Sequence, residues 1–162
     1  MRNRVSMTLG AAAAALLCGT AAFAQLPNPY GSSINLDAAR KAAAPALAEV
    51  QKNNLRMAVA IVDISGDLVL FEKMDGTQAA SVNIAVDKAR SAARFKRPTK
   101  ALQDALAAGG AGLRLLALEG AVPVEGGLPL IADGKIVGAI GVSGGTSEQD
   151  GQCAKAGADS VK

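Results

Sequence analysis

The stretch from Gly126 to Gly145 constrains the fold most. Two apolar runs, residues 128–132 and 135–142, are separated only by Asp133-Gly134, the dipeptide that most readily supplies the two positive φ angles of a type I′ turn. The spacing predicts a β-hairpin. Its second arm is apolar almost throughout, so it belongs in the middle of a sheet covered on both faces. Gly138 and Gly141 remove side chains where a helix, another backbone or a ligand can come close. Gly126-Gly127 and Gly144-Gly145 bracket the hairpin and fit either plain strand-ending turns or a ligand-facing rim.

Residues 1–24 read as a cleaved signal peptide. Arg2 and Arg4 precede a small, apolar run, and Ala22-Phe23-Ala24 before Gln25 fits a small-x-small cleavage site. No other segment offers the roughly 20 apolar residues a membrane span needs, so the expectation is an exported protein, periplasmic or extracellular, with no stable membrane anchor. Cleavage removes two arginines and no acid, which takes most of the full chain's net charge of +3 with it. A near-neutral mature chain, with no Trp and few other aromatics, predicts no nucleic-acid binding. Cys153 becomes the single mature cysteine and cannot form an intrachain disulfide; burial is its plainest fate. The chain has no histidine, which excludes Ser-His-Asp and Cys-His catalysis and histidine ligation of zinc or haem iron.

Residues 25–35 read as an extended N-terminal arm with Tyr30 as its one large side chain. Asn35 can cap a helix over 36–53, which Pro45 should kink or break. A buried strand over 56–64, a turn at Ser65-Gly66-Asp67 and a strand over 68–74 make a second hairpin. A helix over 79–95 puts Val82, Ala85, Val86, Ala89 and Ala93 on one face. Around it Lys88, Arg90, Arg94, Lys96, Arg97 and Lys100 stand against Asp87 alone. Thr99 can cap a helix over 100–108; a strand over 113–118, the loop with Glu119 and Glu125, the opening hairpin and a helix over 147–158 complete the order. Hairpins do not arise from βαβ units, so residues 36–162 form one α+β domain, a five-stranded, mainly antiparallel sheet covered by helices.

The ordered set Ala60-Ile61-Val62-Asp63, Gly66, Met74-Asp75-Gly76, Lys88-Ala89-Arg90-Ser91-Ala92, Phe95-Lys96-Arg97-Pro98-Thr99, Gly126-Gly127-Leu128-Pro129 and residues 137–145, with Asp150, Ala154 and Gly157 after it, resembles the GlcG/HbpS family of haem-binding and haem-degrading proteins. That family is related to the C-terminal domain of one class of corrinoid adenosyltransferase. The resemblance spans about residues 36–159 and implies a profilin-like fold, a homo-oligomer and extracytoplasmic haem binding.

The chain departs from related domains that hold haem iron with histidine. Tyr30, Met57, Met74, Cys153 or a lysine remain as alternatives. Haem carries two propionates, which arginine and lysine bind, so the expected site for a small planar anionic ligand is Lys88, Arg94 and Arg97 near Phe95 and the Gly126-Gly127 rim. A solvated helix face is the plainer reading of the same cations. The leading functional reading is a secreted protein that binds haem or a related tetrapyrrole and promotes its breakdown. The alternatives are a small enzyme acting on an organic acid or aromatic ligand, with Lys88, Glu119 or Asp75 as acid/base groups, and a non-catalytic oligomeric sensor partner. Asp63, Asp67 and Asp75 fit iron ligation or, more plainly, turn chemistry.

Overall fold

The computed structural model describes residues 27–162; the expected signal peptide and the first arm residues lie outside that range. The chain forms helix α1 (Leu36–Lys52), strands β1 (Ala58–Val62) and β2 (Leu68–Lys73), helices α2 (Ser81–Phe95) and α3 (Thr99–Ala107), a 3-10 segment (Gly110–Ala117), strands β3 (Gly127–Ala132) and β4 (Lys135–Ser143), and helix α4 (Ser147–Ala158). The strands pair antiparallel in the order β2-β1-β4-β3. The hairpin at Asp133-Gly134 forms as its sequence requires, with φ of 48° and 71° at the two turn residues.

β1 shows how the layers are built. Val59 and Ile61 face one core with α1, α4, Leu130, Ile140 and Val142. Ala58, Ala60 and Val62 face the other, against Ala85, Ala89, Ala92 and Ala93 of α2. Branched residues fill one side of the sheet and alanines the other, so α2 lies closer to the strands than α1 does. Gly141 completes that approach, because a Cβ there would collide with Ala85 O and Ala89 N.

Three expectations are corrected. The sheet has four strands, not five: residues 113–118 lie in or beside the 3-10 segment, with Leu113 and Leu116 54% and 71% exposed. Gly109 and Gly110, at φ of 67° and 52°, roll the chain back onto α3 before an extended run can reach the sheet. Pro45 does not break α1, which runs through it. The Lys41 carbonyl that loses its helical partner four residues on accepts instead from the Ser160 hydroxyl at 3.5 Å. Thr99 is the first residue of α3 rather than its side-chain cap; its Oγ1 accepts from the Gly127 N–H at 2.9 Å. The Asn35 cap forms as expected, accepting from the Ala38 N–H, and α4 begins in a Thr146/Gln149 capping box.

Candidate functional site

Lys88 is not part of a solvated cationic face. It projects from α2 into the interior, 1% exposed, and donates from Nζ to Asp150 Oδ2 at 2.6 Å and to Val142 O at 3.2 Å. Asp150, in the first turn of α4, also accepts from the Gly145 N–H at 3.0 Å. Burial pushes its carboxyl above the usual range, and the Lys88 ammonium and the Gly145 amide pull it back. Gly126 sits directly on this pair, and Gly127 lies against the Lys88 main-chain carbonyl and Thr99. A Cβ on Gly126, at φ 125°, would lie 2.8 Å from Lys88 Nζ and 2.9 Å from Asp150 Cβ. These glycines admit a buried ion pair and do not form an open rim.

The six expected site residues therefore separate. Lys88, Gly126 and Gly127 meet inside the protein. Arg94 is exposed and donates through Nε to Ser65 O. Arg97 is exposed beside the cleft between α3 and the 3-10 segment, its Nε donating to Phe95 O, while the Phe95 ring is half-buried. The acid/base candidates also diverge: Lys88 is internal, Glu119 lines a cleft with Arg94, and Asp75 lines another with Arg56 and Met74.

Among the iron-ligand alternatives, Met57 is fully buried, and the Tyr30 hydroxyl donates to Ala93 O at 2.8 Å. Cys153 is buried, with its thiol pushed up to about 11 by desolvation first and by Glu49 and Asp150 second. Asp63 Oδ1 accepts from the Ser65 and Asp67 amides, which is turn chemistry. Among the described residues, no group of three or more His, Cys, Asp or Glu side chains could hold a metal ion.

Sequence reasoning missed a groove of about 800 Å³ along the free edge of β3. Leu128, Pro129, Ile131 and Ile136 line it from the sheet, Pro98 and Val161 from the flanking chain, with Lys96 and Lys155 among its lining. Lys96 ends α2 in the left-handed region, at φ 54°, and its ammonium lies 4.0 Å from the centre of the Tyr30 ring. Lys155 pairs with Asp159 at 2.6 Å. The lining residues come from five parts of the chain, and no single segment signals the groove.

Fold and groove together define a three-layer α+β domain with an apolar, lysine-bearing recess at one sheet edge. The chain belongs to the family described as "Haem degrading protein HbpS-like", whose model matches residues 34–159. It is 37% identical over 121 residues, 74% of this chain and 85% of the relative, to an uncharacterized 15.0 kDa protein of Citrobacter freundii. It is 39% identical over 95 residues, 59% of this chain and 69% of the relative, to protein GlcG of Escherichia coli. The crystal structure of HbpS is similar with a TM-score of 0.74 and 32% identity, covering 82% of this chain and 92% of that one. That of a PduOC:haem complex follows at 0.72 and 26%, covering 80% and 96%.

Proposed function

We propose that this protein binds haem or a related tetrapyrrole in the β3-edge groove. The observation that carries the reading is the groove itself. Its volume, about 800 Å³, falls in the range of small-molecule sites; its floor is apolar and two ammonium groups are among its lining. A flat macrocycle bearing a carboxylate is complementary to that surface: Leu128, Pro129 and Ile131 cover its face and Lys96 pairs with a propionate, while Lys155 is held by Asp159, which also lines the groove. The side chains fit the macrocycle and a carboxylate, and none of the described lining residues is His, Cys, Met or Tyr. Membership of the HbpS-like family and similarity to a domain crystallised with haem support the ligand class.

The proposal extends to export, on residues 1–24, and to haem breakdown, on the family description. A homo-oligomer is supported by the solvent-facing Leu113 and Leu116. Haemin titrated into the purified chain should give a saturable, shifted Soret band, and peroxide should bleach it faster than free haemin. Ile131→Glu places a carboxylate on the groove floor at a position already 39% exposed, so the fold should tolerate it. The variant is expected to bind haemin at least about tenfold more weakly; unchanged affinity would move the ligand elsewhere.

A further inference from the structure

Arg90 and Arg94 are one helical turn apart on α2 and are oriented by the same structure, the β1–β2 turn. Arg90 Nε donates to Gly66 O at 3.1 Å and Arg94 Nε to Ser65 O at 2.8 Å. The turn is shaped for this contact. Gly66 has φ 89°, which favours glycine, and a Cβ there would lie 2.8 Å from Arg94 Nε, so a larger residue would also displace the Arg94 side chain. With its Nε anchored, the planar Arg94 guanidinium keeps its two terminal nitrogens free for a carboxylate and pre-set in direction, whereas one terminal nitrogen of Arg90 faces Asp87.

Both arginines line a cleft of about 570 Å³ whose other wall is the segment Glu119-Gly120-Ala121-Val122. That wall is fixed as well, because the Val122 N–H donates to Ser91 Oγ of α2 at 3.0 Å. Asp87 reaches Arg90 at 3.8 Å and partly satisfies it. Glu119 makes no ion pair with any described residue, and neither does Arg94. The cleft thus carries two positive and two negative groups, with one of each left over. A plain anion meets the carboxylates as well as the arginines, and a plain cation the reverse. A molecule bearing both charges close together satisfies the unpaired groups at once.

We propose that this cleft is a second site that binds a small α-amino acid, its carboxylate on Arg94 and its ammonium on Glu119, with Ala121 and Val122 beside the side chain. The site shares no lining residue with the β3-edge groove and does not rest on the tetrapyrrole reading. The test compares three probes of similar size on the full chain: L-alanine, propionate without the ammonium, and ethylamine without the carboxylate. L-Alanine is expected to shift the amide NMR signals of Gly120, Ala121 and Val122 saturably. Each one-charge probe should bind about tenfold more weakly or worse, the scale of one charge-assisted hydrogen bond.

Arg94→Gln and Glu119→Gln are exposed substitutions and should each weaken L-alanine about tenfold with the far-UV circular dichroism and melting temperature unchanged. Arg94→Lys, which keeps the charge but loses the fork, should recover only part of the affinity. Absence of saturable L-alanine shifts, equal affinity for propionate, or unchanged binding in Glu119→Gln would each overturn the proposal. The haemin titration reads the other site separately, so a failure of one is not a failure of the other.

Discussion

Lys88 Nζ lies 2.6 Å from Asp150 Oδ2 across 62 residues of sequence, with both side chains almost wholly out of solvent. The pair joins α2, the end of β4 and the first turn of α4, and Gly126 is pressed against it. A buried ion pair stabilises only while both partners remain, because either charge alone has lost water and gained nothing.

Lys88→Met or Asp150→Asn alone should therefore cost roughly 3–5 kcal/mol in denaturant unfolding, whereas Lys88→Met with Asp150→Leu should recover most of the loss. Additive losses in the double variant would refute the pairing. The native state holds the Asp150 proton more tightly than the unfolded chain does. This group's contribution is therefore full below the ordinary carboxylate value and declines as pH rises through the raised one. Removing the Lys88 cation should move that decline to higher pH, observable as a later titration of the Asp150 carboxyl carbon by NMR.

Gly126→Ala meets two obstacles together, a φ of 125° and contacts under 3 Å with Lys88 Nζ and Asp150 Cβ. The strained backbone alone costs about 1–3 kcal/mol. A thermal melt should fall by several degrees, more than for Gly134→Ala, where φ is positive but nothing lies within 4 Å.

Cys153 should be inert in the folded protein. Its thiol is pushed up to about 11, so the thiolate that reacts with alkylating agents is scarce at pH 8. Iodoacetamide followed by mass spectrometry should leave Cys153 unmodified in the native chain and label it fully in denaturant. Because the folded value is raised, the thiol's contribution to stability is complete below about 9 and is lost as pH rises toward about 11. Cys153→Ala should abolish that alkaline slope.

Lys96→Gln removes an ammonium from the groove lining while leaving its apolar floor intact. Haemin affinity should fall about tenfold and the effect should shrink at high salt, the signature of a lost charge contact. Arg97→Gln, which alters the cleft between α3 and the 3-10 segment, should leave haemin affinity unchanged. The reverse ranking would restore the cationic helix as the carboxylate site.

Local physics explains what was legible before the fold was known. The Asp133-Gly134 hairpin, the Asn35 cap, the Ser65-Gly66-Asp67 turn and the alanine face of α2 each depend on residues a few positions apart. Turn angles, caps and helical period act over that distance, and the amino-acid order alone settled them. Other outcomes depended on distant groups. Lys88 turned inward because Asp150 and Val142 O were waiting there. Thr99 gave its oxygen to Gly127 instead of its own helix, and Pro45 was tolerated beside a Ser160 hydroxyl 119 residues from the carbonyl it served. The strand count, the direction of the cations and the β3-edge groove were likewise decided only by the assembled fold. A charged side chain goes where its desolvation is offset, and the partner that offsets it is chosen in three dimensions.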